Sequence, residues 1–385
     1  MTSNNKIDYG IVGAGAAGLW LALELDRGNC LTNRKLIIFE ENAQKGDDRT
    51  WCFWSPDDVG DSVIKNSVSH SWSRVSYSCS AKNSISISPY RYYYIRSSDF
   101  YEETKRVLNK NPNIEFVYES VEDYTSTDLG IELKTGTGQK IMCEKVFTSA
   151  FKPFYSLPQI HFWQTFAGRR VKFEKEVFDN RCFTLMDFGI PQGGATQFLY
   201  VLPTSKTEAL IEVTKFGKED LDREFASQTI EKAVKTFDAG YRFIDEETGK
   251  IPMSLKLESE FSTHPDARII PIGTVSGAIK ATTGYGFLEM RNRAKVIAQG
   301  CISGNFQPFR QSARFKFYDQ LLLTILKEEP QRGKEVFTSL LYGTPPQKVF
   351  KFLSEKTSIF EDLHVFSSLP VTLFLKHLVK LNWNK

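Results

Sequence analysis

A glycine turn near the start of the chain has the residue spacing of a dinucleotide-binding site. The strand-like run 7–12 leads directly into Gly13, Gly15 and Gly18, which are spaced as Gly-x-Gly-x-x-Gly. In such a turn the first glycine allows the tight bend, the second lets the backbone approach a pyrophosphate, and the third lets helix and strand pack closely. The following helix then directs unsatisfied N–H groups and the positive end of its dipole at the phosphates. The spacing therefore predicts a bound dinucleotide.

Glu40 narrows the choice of dinucleotide. It closes a second apolar run, 36–39, about twenty residues beyond the glycines. An acidic side chain in this place binds the hydroxyls of an unphosphorylated adenosine ribose, which favours FAD or NAD over NADP. A single fingerprint at the N-terminal end of a long chain is more typical of FAD. We therefore predict FAD as the cofactor.

The composition limits the classes of protein to consider. A chain of 385 residues can form two domains, or one domain with a large insertion. The net charge of +3 is too small to indicate nucleic-acid binding. The six cysteines are scattered without a Cys-x-x-Cys pair, so neither a zinc site nor a disulfide framework is expected, and the default compartment is a reducing cytoplasm. Apolar stretches stay well short of eighteen residues, so no membrane-spanning helix is expected.

The elements that must position these residues fall into four predicted segments. They are the first part of a nucleotide-binding domain (1–150), an inserted antiparallel-sheet substrate domain (151–262), a segment that returns to the nucleotide-binding domain (263–330) and a C-terminal helical segment (331–385). Inside the insertion the sequence predicts paired strands at 197–202 and 207–214, a helix at 219–237, and a strand at 241–257 that turns at Gly249. The overall prediction is an α/β fold.

Segments spread over nearly the whole chain resemble the lycopene β-cyclases of carotenoid-making bacteria. Together with the glycine turn, the matching segments are 48–54, 184–188, 200–203, 211–214, 249–253, 272–274, 283–287, 314–319 and 345–350. Each is weak alone, but together and in this order they make the resemblance specific. The family consists of FAD-dependent flavoproteins related to aromatic hydroxylases and geranylgeranyl reductases. The resemblance therefore implies a Rossmann-like FAD-binding domain with an inserted antiparallel-sheet substrate domain and C-terminal helices.

The resemblance also implies an activity and a proton donor. The family converts the open ψ ends of lycopene into β-ionone rings, giving β-carotene by way of γ-carotene. The reaction is an isomerisation without net redox change, although the flavin must be reduced, with NAD(P)H as the expected electron source. The family's proton donor lies in the segment that matches 211–214, which assigns this role to Glu212.

The surroundings of Glu212 suit such a role. Cyclisation needs a carboxylic acid that can protonate an isolated alkene carbon, and apolar surroundings raise the pKa of such an acid because they disfavour its charged form. Glu212 lies between Ile211 and Val213 in an apolar predicted strand, and after donating its proton it could also act as the base. Alternatively, Glu212 lies on the solvent face of an edge strand and pairs with Lys215 or Lys206.

Further candidates surround the predicted cofactor and substrate. Arg49 follows the loop after the second strand and could brace the flavin or its pyrophosphate. Asp187 could be an active-site carboxylate or the residue that forms a turn at a strand end. Gly273, Thr274 and Gly284 are expected to approach the flavin ring and its ribityl chain.

Two acidic residues and one replacement also concern the predicted site. Glu246 and Glu247 precede the predicted turn at Gly249 and are expected to be solvated turn charges, with a second acid as the alternative. Thr274 stands where related flavin hydroxylases and reductases carry an aspartate after the glycine. The resemblance therefore argues against an oxygen-activating hydroxylase.

The C-terminal segment is the predicted membrane contact. Lycopene is insoluble in water, so the resemblance implies an enzyme that collects its substrate from a bilayer. Apolar residues recur at helical spacing, with basic residues and an aromatic residue beside them: Val371, Phe374, Leu375, Leu378, Val379, Lys376, Lys380, Trp383 and Lys385. Such a helix either inserts at a membrane surface or docks on the protein's own core. We predict a cytoplasmic protein peripherally associated with the inner face of the cell membrane.

Two other functions fit the same pattern of residues. A flavin-dependent isoprenoid oxidoreductase, such as a geranylgeranyl reductase, would consume NAD(P)H in proportion to its product. A carotenoid-binding flavoprotein without turnover would bind lycopene and release it unchanged.

Overall fold

Three β-sheets and the helices packed on them make up the structure, a computed structural model that describes residues 7–56, 59–79, 83–155, 160–257, 263–307, 309 and 311–383. The strands are β1 (Ile7–Val12), β2 (Leu36–Phe39), β3 (Thr50–Pro56), β4 (His70–Trp72), β5 (Arg74–Ser76), β6 (Ile85–Ser86), β7 (Tyr90–Arg96), β8 (Ile114–Val117), β9 (Val121–Thr127), β10 (Gly130–Thr135), β11 (Lys140–Thr148), β12 (Trp163–Phe173), β13 (Cys182–Asp187), β14 (Thr196–Pro203), β15 (Glu208–Gly217), β16 (Tyr241–Pro252) and β17 (Ile269–Pro271). The helices are α1 (Ala16–Arg27), α2 (Ser62–Ser67), α3 (Ser97–Leu108), α4 (Arg223–Lys235), α5 (Phe287–Ser303), α6 (Ala313–Glu328), α7 (Gly333–Gly343), α8 (Pro346–Leu353), α9 (Ile359–Ser367) and α10 (Val371–Trp383).

The first sheet contains the βαβ unit predicted from the glycine turn. Its strand order is β8-β2-β1-β11-β10-β9, with β17 also paired to β11. The pairs among β1, β2, β8, β11 and β17 are parallel, whereas β9 and β10 join β11 as an antiparallel meander. Helix α1 makes the covered crossover that parallel strands need, and it is buried along most of its length. β17 pairs with β11, so residues 269–271 join this sheet.

The second sheet has the order β16-β12-β15-β14-β13-β5-β6. The predicted strand pair is confirmed as β14 and β15, which run antiparallel. β12 lies between β15 and β16 and pairs with both over nearly its whole length. β5 and β6 come from the part of the chain before residue 150, and they complete the opposite end of this sheet.

The predicted turn at Gly249 is wrong. β16 continues through this residue and pairs with β12 from Tyr241 to Pro252. Phe166 lies opposite Gly249, and a Cβ on the glycine would come within 2.0 Å of the Phe166 ring. The glycine therefore makes room for a side chain of the neighbouring strand and does not reverse the chain.

Helix α4 covers one face of the second sheet. The helix predicted at 219–237 begins at Arg223, because the Asp222 side chain caps its first turn. Residues of both elements share one apolar cluster: Ala226, Ile230 and Val234 from the helix, with Val171, Ile211 and Val213 from the sheet. Since the side chains of a strand alternate between faces, Leu210, Glu212 and Thr214 point to the opposite face of β15.

The third sheet, β3-β7-β4, contributes to two cores at once. Trp51 and Phe53 of β3 stack on Phe287 at the start of α5, within the core beside α1. Cys52 and Trp54, which point the other way, pack against the core of the second sheet. These aromatic residues therefore pack into two different cores.

Helix α10 has one buried and one exposed face. Leu373 packs with α6 and α7, and His377 on the same face is also buried. Val371, Leu375 and Val379 recur every four residues and are exposed. The prediction of a docked helix and the prediction of an exposed apolar face therefore each describe one side of α10.

The basic residues of α10 bind acidic residues of the protein itself. Lys376 lies 2.7 Å from Glu329, and Lys380 lies 2.6 Å from Glu328. Lys385 and the side chain of Trp383 lie outside the part of the chain that the structure describes. Among the described residues, helices long and apolar enough to cross a membrane are absent.

Candidate active site

The glycine turn has the geometry that its spacing predicts. Gly13 adopts a φ of +99°, which residues with a side chain rarely adopt. A Cβ on Gly18 would come within 2.0 Å of the Gly13 carbonyl oxygen, so α1 can approach β1 this closely only with glycine there. A Cβ on Gly15 would meet nothing within 4 Å, which shows open space at the N-terminus of α1. This space fits the diphosphate of a dinucleotide, which helix N-termini attract.

Glu40 lies beside this turn. Its Oε2 accepts the Ala14 N–H at 3.0 Å and the Lys45 ammonium at 2.9 Å. The carboxylate is therefore held at the end of β2, in the place where the residue pattern locates the ribose hydroxyls. Binding of the ribose by Glu40 stays a prediction.

Gly273, Thr274 and Gly284 lie between β17 and α5. Gly273 has a φ of +65°, and a Cβ there would come within 2.9 Å of the Ala17 side chain in the first turn of α1. Gly284 has a φ of +75°, and a Cβ there would come within 2.8 Å of Gln164 Oε1 on β12. Gly273 is thus close to the glycine turn, whereas Gly284 is close to the second sheet.

A central cavity is bordered by the second sheet, by β3 and β7, and by the loops before α5. It encloses about 1340 Å³ of space between protein atoms, part of it open to solvent. Thr274 and Gly284 line this cavity, and so do Arg49, Glu212 and Glu247. The fold therefore brings the loops predicted to approach a flavin and the predicted acid to one space.

Two buried polar atoms in the cavity wall have no hydrogen-bond partner among the described residues. They are Gln164 Oε1 and Thr283 Oγ1. Buried polar groups are almost always paired, so these atoms indicate a ligand that supplies the missing partners. Because Thr274 and Gly284 belong to the same wall, the polar atoms of a flavin fit there.

Glu212 points into the cavity from β15. Its side chain lies on the face opposite to Ile211 and Val213, which pack under α4. Thr214, two residues further along the same face, donates its hydroxyl to Glu212 Oε1 at 2.7 Å. Burial, together with the neighbouring Glu247 carboxyl, holds the pKa of Glu212 well above its ordinary value. The alternative of a solvent-facing Glu212 paired with a lysine is wrong.

Glu247 is a second carboxyl group in the same wall. Its Oε2 accepts the Thr50 hydroxyl at 2.6 Å, and burial raises its pKa above the ordinary value. The prediction of a solvated turn charge is therefore wrong for Glu247. For Glu246 only the solvated part of the prediction is correct. Its side chain is 75% exposed and lies 3.7 Å from Arg169. The error follows from the turn predicted at Gly249, because a continuous strand places Glu246 and Glu247 on opposite faces.

Three tyrosines, Tyr92, Tyr200 and Tyr285, border the same cavity as Glu212 and Glu247. The hydroxyls of Tyr92 and Tyr285 lie 2.6 Å apart, and Tyr200 pairs with Glu212 across β14 and β15. Burial raises the pKa of all three tyrosines and of Cys52, so these groups are neutral at physiological pH. The sequence offered no sign that these residues meet, because they come from four different elements.

Arg170 supplies a buried positive charge that acts on Glu247. Its guanidinium donates to the Tyr94 hydroxyl at 2.6 Å and to the Asp245 carboxylate at 3.1 Å. Its charge lowers the pKa of Glu247 and so favours the carboxylate form of that residue. The side chain reaches this place from β12, a strand without a clear alternation of apolar and polar residues in the sequence.

Asp187 and Arg49 occupy places with different implications. The Asp187 carboxylate accepts the N–H groups of Cys79 at 2.7 Å and Gly189 at 2.8 Å, which is the geometry of a turn-forming residue. A catalytic role of Asp187 stays a prediction without support from its position.

Arg49 is exposed at the rim of the central cavity and donates to the Asp48 carbonyl oxygen at 3.0 Å. From there it can reach a ligand in the cavity.

Comparison with known proteins identifies a family and related folds. A family model described as "Lycopene cyclase protein" matches residues 8–378. A geranylgeranyl bacteriochlorophyll reductase-like protein from Thermoplasma acidophilum has a similar structure, with a TM-score of 0.60 and 13% identity over 98% of this chain and 99% of that chain. The comparison with curated proteins found no match.

Two further solved structures show the same likeness. A flavoprotein/dehydrogenase from Cytophaga hutchinsonii gives a TM-score of 0.60 at 11% identity, over 99% of this chain and 100% of that chain. The p-nitrophenol 4-monooxygenase of Pseudomonas putida DLL-E4 gives 0.57 at 15% identity, over 97% of each chain. The predicted fold class is confirmed: this is the mixed α/β fold of reductase-like and hydroxylase-like flavoproteins.

Proposed function

Because the chain belongs to the lycopene cyclase family, we propose that it is a flavin-dependent lycopene β-cyclase. It converts the open ψ ends of lycopene into β-ionone rings and yields β-carotene by way of γ-carotene, without net redox change. The observation that carries the proposal is the Glu212 carboxyl, a partly buried acid with a raised pKa in the wall of the central cavity. A carboxylic acid with a raised pKa keeps its proton to higher pH and can therefore act as a proton donor.

FAD is the proposed cofactor. The glycine turn and Glu40 would hold its diphosphate and ribose, and the loops with Gly273, Thr274 and Gly284 would border its ring. Bound in its reduced form, FAD supplies an electron-rich group that stabilises positive charge in the cavity. We propose NAD(P)H as the source of its electrons.

Glu212 starts the reaction by protonating a terminal alkene carbon of the substrate. Its O–H bond breaks while the alkene electrons form a new C–H bond, which leaves a tertiary cation on the chain and a carboxylate on Glu212. The neighbouring double bond then supplies the electron pair of the ring-closing C–C bond. A ring carbon beside the new cation finally loses a proton to the carboxylate, which gives the β ring and restores the acid.

The other residues of the cavity protect the cationic intermediate. Phe166, Tyr92, Tyr200 and Tyr285 border the cavity with aromatic rings, which attract cations through the negative potential of their faces. The hydroxyl of Tyr285 is bound by that of Tyr92, which reduces its availability to attack a cation. Water is the competing nucleophile, so a cavity lined in this way favours ring closure over hydration.

We further propose that the protein collects its substrate as a peripheral protein at the inner face of the cell membrane. The supporting feature is a set of exposed apolar residues on α9 and α10, here called the C-terminal apolar surface. It consists of Ile359, Phe360, Leu363, Val371, Leu375 and Val379. Phe360 is 84% exposed. Exposed apolar groups that gather in one patch are typical of contact with a partner or a membrane.

Supplying lycopene in liposomes, with FAD and a reductant in D2O, tests the function. A cyclase forms a product isomeric with lycopene apart from one solvent-derived deuteron per ring, provided that the Glu212 proton exchanges with D2O between turnovers. An isoprenoid reductase would instead add two hydrogens per reduced bond and consume the reductant in proportion. A carotenoid-binding protein would release lycopene unchanged. Either of the last two results would contradict the proposal.

Replacement of the proton donor gives the first mutational prediction. Glu212→Gln is expected to abolish turnover, because an amide cannot deliver the proton, while the flavin absorbance of the purified protein stays unchanged. Glu246→Gln, on the same sheet but exposed, is the matched control and is expected to keep full turnover. A fully active Glu212→Gln protein would remove this residue from the mechanism.

A further inference from the structure

Two carboxyl groups meet at one point of the cavity wall. Glu212 on β15 and Glu247 on β16 both pair with Gly168 of β12, which separates the two strands. Backbones separated by an intervening strand are about 10 Å apart. A Cβ on Gly168 would lie 3.3 Å from Glu212 Cβ and 3.3 Å from Glu247 Cγ, so both side chains lean over the glycine. Their carboxyl groups come within hydrogen-bonding reach of each other.

The surroundings of the two carboxyl groups are not equivalent. Glu247 accepts the Thr50 hydroxyl, and the positive charge of Arg170 favours its carboxylate form. Glu212 accepts the Thr214 hydroxyl and lies farther from that positive charge, next to the Glu247 carboxyl. Two carboxyl groups in contact do not both ionise near neutral pH, because like charges at this distance repel strongly. The surroundings therefore assign the charge to Glu247 and the proton to Glu212.

We propose that Glu212 and Glu247 form a carboxyl pair that holds a single proton, in which Glu247 is the positioning residue that keeps Glu212 protonated. This inference rests on the proposed function and explains how its acid is available at neutral pH. Glu212 alone contacts the substrate. Glu247 acts through Glu212, by its charge and by accepting the hydrogen bond from the Glu212 carboxyl group.

During the reaction the negative charge of the pair increases when the substrate becomes a cation and decreases when the substrate is neutral again. The pair has one negative charge before proton transfer and two while the substrate carries its cation. It returns to one when the ring carbon gives its proton back. The doubly charged pair faces the cation at close range, where opposite charges stabilise each other most. It is also a stronger base than a single carboxylate, which favours the final deprotonation over escape of the cation.

Other titratable groups also face the pair. On the neighbouring elements they are Cys52, Tyr94, Arg170, Tyr200, Tyr285 and Asp47, with Asp48, Arg49 and Lys250 also lining the cavity. Burial raises the pKa of Tyr94 to about 12 and raises those of Cys52, Tyr200 and Tyr285 as well. These four groups stay neutral while the pair titrates, so a change in the neutral range reports on the two glutamates.

The pH dependence of turnover tests the pair. Turnover requires a protonated Glu212, so it falls as pH rises through the pKa of this group. The charge on Glu247 raises that pKa, and Glu247→Gln is therefore expected to shift the alkaline limb to lower pH by about one unit or more. Glu247→Asp keeps the charge and is expected to keep the limb within a few tenths of a unit of wild type. Glu246→Gln is the control with an unchanged profile.

A limb that does not move in Glu247→Gln would overturn the proposal. A purely structural role of Glu247 predicts that result, because it lowers turnover equally at all pH values. A limb that shifts equally in Glu247→Asp and Glu247→Gln would also overturn it, since the charge is then irrelevant.

Infrared spectroscopy of the flavin-loaded protein without substrate gives a second, independent measurement. The carbonyl stretch of a protonated carboxyl group is expected in wild type at neutral pH and is expected to be lost in Glu212→Gln. In Glu247→Gln the band is expected to disappear at a lower pH than in wild type, by the same interval as the alkaline limb. Absence of the band from wild type would overturn the pair. A protein that shows the band but forms no ring would contradict the proposed function and leave the pair intact. If the protein forms the ring but its alkaline limb does not shift in Glu247→Gln, the pair is contradicted and the proposed function stays intact.

Discussion

At the scale of the single residue, the protonation of Glu212 links activity to stability. Burial and the Glu247 carboxyl raise the pKa of Glu212 in the folded protein above that of the unfolded chain. The folded protein therefore binds this proton more tightly, and unfolding releases it at any pH between the two values. The free energy of unfolding consequently falls as pH rises through that window.

Glu212→Gln is therefore expected to be more stable than wild type at neutral and alkaline pH. The gain is on the order of 1 kcal/mol for each unit by which the pKa is raised. Below the pKa of an unfolded glutamate the gain disappears, because both proteins are then uncharged at this position. Thermal melts of both proteins across pH measure the difference, with Glu246→Gln as the control. If the stabilities of wild type and Glu212→Gln change in parallel at all pH values, the raised pKa of Glu212 is contradicted.

At the scale of the element, strand β12 decides which side chains meet. Its central residue Gly168 has no side chain, so the glutamates of the two neighbouring strands can approach across it. A Cβ at this position would also lie 3.1 Å from the Leu210 side chain. These distances are shorter than ordinary van der Waals contacts, so the neighbours would have to move.

Gly168→Ala is expected to lower turnover by about 10- to 100-fold, because it displaces both carboxyl groups from their contact. The strand itself tolerates alanine, so the protein is expected to fold and to bind its flavin. Steady-state turnover and flavin absorbance measure the two effects. The control is Gly46→Ala, where a Cβ would meet nothing within 4 Å. Equal turnover in the two variants would show that Gly168 is not needed for the site.

At the scale of the whole molecule, the proposed function requires that a hydrocarbon enter the cavity between the sheets. The C-terminal apolar surface lies on the last two helices, of which α10 packs on α6 through its other face. Lys376 and Lys380 are bound to acidic residues of the protein, so the proposed membrane affinity of this helix would come mainly from its apolar residues.

Replacing Leu375 and Val379 together by Ser is expected to reduce co-sedimentation with liposomes by about tenfold or more, because each side chain loses its favourable transfer from water. Turnover of lycopene in liposomes should fall in parallel, while turnover of detergent-dispersed lycopene should stay at the wild-type rate. Ile302→Ser is the matched control, since Ile302 is 64% exposed but lies on α5. Unchanged co-sedimentation would exclude this surface as the membrane contact.

The parts of the molecule that sequence analysis predicted well are local. The glycine turn, α1 and β2 form one continuous βαβ unit, so the spacing from Gly13 to Glu40 already contains their geometry. The face of β15 that carries Glu212 also follows from alternation, because Ile211 and Val213 need a core. The wrong predictions concern residues whose type is explained by a contact with a distant part of the chain. Gly249 resembles a turn in the sequence, but it makes room for Phe166 of another strand.

The sequence by itself determined the type of cofactor site, the candidate acid and the family, since each depends on residues close together in the chain or on motifs read in order. Only the tertiary structure decided that Glu247 lies beside Glu212, with Gly168 between them and Arg170 nearby. These residues are 35 or more positions from Glu212 in the chain, and the register of β12, β15 and β16 brings them together. Strand register is set by the packing of whole faces and by backbone hydrogen bonds between distant segments. Local residue patterns contain neither, so the carboxyl pair becomes visible only in the folded sheet.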